Sequence, residues 1–199
     1  METLVRIIEI FAFVTGIVYI VLEILQKKSM WLIGMITGLA CTFSFWAQSL
    51  YASMGLNIYY VFVSIWGIYQ WREAEKKLGN EASGGDEGLL HLKRISPLTL
   101  IVSVMVFLLG SLSLICILRL IGGSESVMDA IVTVLSAVGT FWLAKSYLQQ
   151  WLVWIIADIL SAILCYMTGM YWMAILYLVY TASALYGYLH WKKKGIYIN

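Results

Sequence analysis

The sequence predicts an all-α membrane protein: seven transmembrane helices, set out as two parallel three-helix repeats joined by a connecting helix. Three observations carry that expectation. Hydrophobic residues make up 62% of the 199-residue chain and charged residues only 12%, with a mean hydropathy of +0.87. Soluble domains sit nearer half apolar and a quarter charged. The apolar residues gather into stretches long enough to cross a bilayer, which takes about 20 residues per helix. Finally, the chain resembles itself at a shift of 120 residues.

The first apolar stretch covers 4–25. It has no basic region before it and ends in Glu23-Ile-Leu-Gln-Lys-Lys28 instead of a small-residue cleavage site, so it is expected to persist as a mature first helix. The second stretch covers 31–50 and the third 52–71. Residues 72–96 are polar and rich in glycine and charge, which predicts a mobile linker. The fourth helix, 97–120, opens with Ser96 as N-cap and Pro97, the chain's single proline, at its first helical position. Helices over 127–147, 150–168 and 171–191 follow, then a basic tail, 192–199. The predicted organisation is a first repeat over 1–71, the linker 72–96, a connecting helix 97–120 and a second repeat over 127–191.

Basic residues at helix ends set orientation. Placing the loops after helices one, three and five on the same side as the C-terminus gathers Lys27, Lys28, Arg72, Lys76, Lys77, Lys93, Arg94, Lys145, Lys192, Lys193 and Lys194 there. Arg6 and Arg119 alone remain opposite. The N-terminus is therefore expected outside and the C-terminus in the cytoplasm, with the acidic stretch Gly122–Asp129 in an outer loop.

At the 120-residue shift, Trp31, Ile36, Tyr51, Leu56, Tyr60, Gly67 and Trp71 fall on Trp151, Ile156, Tyr171, Leu176, Tyr180, Gly187 and Trp191. No gap is needed across the 41 positions from Trp31 to Trp71, which favours duplication over chance. Glu9 falls on Asp129. One connecting helix between two triplets puts both in the same orientation, an arrangement known among transporters, with the substrate site between repeats near the midplane.

The third helix carries the clearest polar signal. Asn57, Tyr60, Ser64, Gly67 and Trp71 recur at steps of three and four, within a stripe about 80° wide. An amide, a phenol and a hydroxyl on one face of an apolar helix need polar partners. Gly67 and Gly187 read most simply as close helix contacts, whereas Asn57 would cost several kcal/mol if buried without a partner. On the sixth helix, Trp151, Trp154, Asp158, Ser161 and Cys165 share a face, where the second helix has Trp31, Gly34, Gly38, Cys41 and Phe45. Trp151 also suits an interfacial anchor. Asp158, a carboxylate at membrane depth, is a candidate for ligand contact or for shaping the site; it could also be protonated or paired with Ser161, Thr37 or the tyrosines. Indoles, tyrosines and an acid together favour a cationic aromatic ligand. Tyr177 and Tyr180, opposite Asn57 and Tyr60 in the repeat, complete the candidate substrate-binding set.

Other classes are disfavoured. A net charge of +2 with no basic patch gives no nucleic-acid signal. Cys41, Cys116 and Cys165 lack metal-type spacing, and no metal or cofactor is implied. His91 and His190 have no partners at catalytic spacing, so an enzyme is not expected. A structural or sensory membrane module, its stripes serving only packing, and a channel remain as alternatives.

The motif Asn57-x-x-Tyr60-x-x-x-Ser64-x-x-Gly67-x-Tyr69-x-Trp71 resembles the third-helix motif of the PnuC vitamin transporters, and Trp151-x-x-Trp154 resembles their sixth-helix motif. The resemblance covers nearly the whole chain outside the linker and termini. It implies a fold related to the SWEET sugar transporters, uptake of nicotinamide riboside across a bacterial cytoplasmic membrane without energy coupling, trapping by phosphorylation inside the cell, and trimers. It also implies substrate contacts from Asn57, Tyr60, Ser64, Trp151 and Trp154. Relatives carry thiamine or riboflavin. A carboxamide, which nicotinamide has and thiamine lacks, pairs two ways with Asn57, so nicotinamide riboside is favoured over thiamine. Tyr69 lies about 120° from Asn57 on the helix and is expected to pack, not bind.

Overall fold

The computed structural model describes residues 2–47, 51–81, 90–120, 127–167 and 171–198. It contains seven helices among the described residues, α1 (Glu2–Ile24), α2 (Ser29–Ala47), α3 (Tyr51–Glu81), α4 (Pro97–Leu120), α5 (Val127–Ala144), α6 (Gln150–Met167) and α7 (Tyr171–Lys194), with two short strands, β1 (Leu90–Leu92) and β2 (Gly195–Tyr197). The start of α4 follows from its residues. The backbone N–H of Thr99 donates to Ser96 Oγ at 3.1 Å, and Pro97 takes the first helical position, where a missing N–H costs nothing.

Six helices close into a ring. Successive neighbours are α1–α2, α2–α3, α3–α5, α5–α6, α6–α7 and α7–α1, while α4 packs against α5 from outside. On α4 only Ser103, Ser111 and Leu118 are buried, and Trp142 Nε1 of α5 donates to Ser103 Oγ at 2.9 Å to hold it there. Most of the rest of α4 is apolar and exposed, as suits a lipid-facing surface. By length and hydropathy α4, α5 and α6 each suffice to cross a membrane.

Contacts recur at positions 120 residues apart. The rings of Trp31 and Trp71 meet edge-on at 5.4 Å, and so do those of Trp151 and Trp191. A Cβ added at Gly67 would lie 2.6 Å from the Trp31 ring, and one at Gly187 would lie 2.5 Å from the Trp151 ring. Only glycine lets each indole lie flat on the neighbouring helix. The ends of α1 and α5 close identically, with Gln26 and Ser146 in the left-handed region (φ 50° and 58°). The N–H of Gln26 donates to Glu23 O and that of Lys27 to Leu22 O; Ser146 and Tyr147 do the same to Leu143 and Trp142. This is the Schellman closure of a helix C-terminus, here without the usual glycine.

The basic end departs from expectation. Helix α3 runs to Glu81, beyond the predicted 71; in this extension Ala74 is buried and Glu73 and Lys76 pair along the surface. Leu90–Leu92 forms a parallel strand pair with Gly195–Tyr197, so neither 72–96 nor 192–199 is a free polar segment. Both bonds of the His91 backbone on the other side of β1 go to one side chain: Gln26 Nε2 donates to His91 O and His91 N donates to Gln26 Oε1, each at 2.8 Å. Lys93 N donates to Ser146 O at 3.1 Å, which brings the α5–α6 turn into the same cluster. Residues 82–89, most of the acidic stretch 122–129, and the side chains of Arg6, Glu9 and Phe45 lie outside the described residues.

Candidate functional site

The α3 stripe faces the interior of the ring. Ser64 is 3% exposed and Gly67 and Trp71 are buried, whereas Phe62, Ile65 and Tyr69, on other sides of the helix, are more than half exposed. Tyr69 is exposed on another side of the helix, off the stripe, as its angle predicts. Inside the ring lie two cavities. The first, of about 230 Å³, is lined from α3 by Asn57, Tyr60 and Ser64 and from α2 by Gly34, Thr37 and Gly38. Thr15, Gly16 and Tyr19 of α1, Thr140 of α5 and Trp154 of α6 complete it. Its chemistry is that of neutral hydroxyls and an amide. Thr37 Oγ1 donates to Thr15 Oγ1 at 2.8 Å, so α1 and α2 share a polar contact at its wall.

The second cavity, of about 190 Å³, is acidic and aromatic: Glu23 and Tyr19 come from α1, Trp151, Trp154 and Asp158 from α6, and Tyr180 and Ser183 from α7. Gly16, Tyr19 and Trp154 line both cavities, which makes the two neighbouring chambers of one interior space. Trp154 lies over Gly139 of α5, where an added Cβ would sit 3.2 Å from the ring.

Of the residues singled out from the sequence, Asn57, Tyr60 and Ser64 meet in the first chamber, and Trp151, Asp158 and Tyr180 in the second, with Trp154 between them. Tyr177 lines neither chamber; its ring packs against that of Tyr180 at 6.0 Å. Trp151 is 2% exposed, with its ring against Gly187 and Trp191, so it packs as Trp31 does on the other side. The two indoles are therefore unequally exposed: Trp151 is almost fully buried and borders the second chamber alone, whereas Trp154 is more open and borders both.

The sequence reading passed over the α1 contribution. Thr15, Gly16, Tyr19 and Glu23 fall within about 100° on one helix face, and all four line the chambers. Thr15, Tyr19 and Glu23, polar residues four apart, were the signal available. It was hidden because Glu23 stands next to the polar helix end and reads as part of it.

A family profile described as nicotinamide mononucleotide transporter matches residues 6–193, nearly the whole chain. The chain belongs to this family. It is a family of transporters, which agrees with the motif resemblance to PnuC and excludes an enzyme. Relatives named nicotinamide riboside transporter PnuC include those of Haemophilus influenzae, 26% identical over 90% of this chain and 76% of theirs, and of Escherichia coli, 26% identical over 92% and 84%. That of Neisseria mucosa is 28% identical over 92% of this chain and 70% of its own. A crystal structure described as the vitamin B3 transporter PnuC shares the fold, with a TM-score of 0.69 and 23% identity over 96% of this chain and 88% of that one.

Proposed function

We propose that the chain is a facilitative transporter of nicotinamide riboside in a bacterial cytoplasmic membrane, its N-terminus outside and its C-terminus in the cytoplasm. The observation that carries this reading is the pair of adjoining chambers. One offers an amide and hydroxyls, suited to a sugar and a carboxamide; the other offers carboxylates and aromatic faces, suited to a cationic ring. Names of relatives from three bacteria point the same way. In this reading Asn57 and Tyr60 hydrogen-bond the ligand, Ser64 contacts it, Trp154 stacks on the ring, and Trp151, Tyr177 and Tyr180 brace the wall.

The same proposal takes helices α1–α3 and α5–α7 as two parallel repeats, with α4 as the connector, in a SWEET-like arrangement. The contacts shared at a 120-residue offset support it. Rocking of one repeat against the other would expose the chambers alternately to each side, phosphorylation inside the cell would trap the product, and the protein would assemble as a trimer.

Uptake of radiolabelled nicotinamide riboside into proteoliposomes, with competition by thiamine and riboflavin, tests the reading. Saturable uptake blocked by nicotinamide riboside alone is expected, and Asn57→Leu should lower it by about five- to hundredfold, since a buried amide–ligand pair lost in this way costs about 1–3 kcal/mol. Competition by thiamine alone would reassign the substrate. Uptake that does not saturate would point to a channel, and no binding of any vitamin to a structural module.

A further inference from the structure

The second chamber holds two carboxylates and no base. Glu23, 5% exposed, and Asp158, 7% exposed, both line it, and its lining residues include no lysine, arginine or histidine. Glu23 is in the last turn of α1 and is held by Gln150 at the start of α6, itself fully buried, whose Nε2 donates to Glu23 Oε1 at 3.3 Å. Asp158 accepts no hydrogen bond and joins no ion pair among the described residues. Carboxylates kept from water in this way are costly unless a proton or a cation meets them. An independent observation concerns donors: the indole N–H groups of Trp151, 2% exposed, and of Trp154 are buried without a partner among the described residues. Unused donors and unmatched acceptors in one chamber mark space that a ligand completes.

The two acids are also one-sided. At the 120-residue offset Glu23 corresponds to Leu143 and Asp158 to Gly38, so both fall where the other half is neutral. We propose that Glu23, together with Asp158, forms the cation-selecting end of the site, admitting a heteroaromatic ring that bears a positive charge and disfavouring a neutral ring of the same shape. Gln150 is a positioning residue that holds Glu23 toward the chamber. The inference rests on the substrate reading above but concerns charge selection, which can be measured separately.

Nicotinamide riboside and its 1,4-dihydro form share ribose and carboxamide, and only the first has a cationic ring. Calorimetric binding of both to the purified full chain, wild type and variants, gives the test. The wild type should prefer the cation, and Glu23→Gln, which keeps the volume and the hydrogen bond from Gln150, should weaken the cation about tenfold or more while changing the dihydro form by less than about twofold. Glu23→Asp should keep the preference, and Asp158→Asn should lose it as Glu23→Gln does, which guards against one variant failing to fold. Equal loss for both compounds, or no change for either, overturns the inference. If the wild type binds neither nicotinamide compound, thiamine, also a cation, becomes the probe. Its weakening by Glu23→Gln would leave the cation end standing while the substrate assignment falls; its indifference would sink both.

Discussion

Helices α2 and α3 and helices α6 and α7 hold the same framework and different contents. Trp31, Gly67 and Trp71 repeat in Trp151, Gly187 and Trp191, with the same 5.4 Å edge contact and the same indole laid on glycine. Where α6 presents Trp154 and Asp158 to the chambers, α2 presents Gly34 and Gly38. The shared Trp and Gly positions carry packing, the shared Tyr60 and Tyr180 each line a chamber, and under the proposed function the unshared residues would add the selectivity. The glycines of α2 leave room in the first chamber, which Trp154 also borders, while Asp158 lines the second.

The sharpest way to break this comparison is to erase the empty side. At Gly34 an added Cβ would lie 3.0 Å from the Tyr19 ring and 3.4 Å from Ser64 Oγ, so Gly34→Leu should fill the first chamber. Uptake should fall by about a hundredfold, the equivalent of ~2.7 kcal/mol, with the protein still folded by size-exclusion profile. Retained uptake would mean that the ligand does not use this chamber. The next test concerns what is shared. Gly67→Ala and Gly187→Ala should each destabilise the protein by about 1–3 kcal/mol through overpacking against an indole, read as equal falls in melting temperature in detergent. A large fall for one and none for the other would break the equivalence of the halves.

The smallest effect concerns a feature found in one half only. Gln26 brackets the His91 backbone, whereas Ser146, its counterpart, accepts from Lys93 N through its carbonyl. Burial, with help from Lys93 and Lys28, pushes His91 down to about 4 from its ordinary 6.5. The opened strand segment then binds more protons than the folded one between those values, so acidification from pH 6.5 towards 4 should weaken the β1–β2 pair and neutral pH restore it. Hydrogen exchange at Leu90–Leu92 should quicken over that window, and His91→Gln should flatten the response.

Much of the helical frame was legible because apolar length and capping chemistry are local. Ser96 and Pro97 start α4 where the sequence reading put them, and the three-and-four spacing of Asn57, Tyr60 and Ser64 placed them in one chamber. The strands were not legible, since three residues such as Leu90–Leu92 have no period to detect and pair with a segment about a hundred residues away. Trp151 and Trp154 were read alike because sequence gives a common face but not what lies against it. Both lie over a glycine, but Gly187 and Trp191 shut in the ring of Trp151, whereas Trp154, over Gly139, borders both chambers. Glu23 was missed because its meaning depends on Gln150 and Asp158, both on a helix that follows more than a hundred residues later.

The ring has two seams between its halves, α3 against α5 and α7 against α1, and at each an indole reaches across. Trp71 Nε1 donates to Leu143 O at 3.2 Å, and Trp191 Nε1 to Ile24 O at 3.0 Å. Both stitches lie at the basic end, close to the last turns of α1 and α5. In the proposed rocking of one repeat against the other, both seams lie between the moving parts, so both stitches would be strained by the same motion. Each buried bond is worth about 0.5–1.5 kcal/mol. In the proposed alternating access, a threshold of that size is small enough for a bound ligand to overcome and for the empty protein to cross on its return.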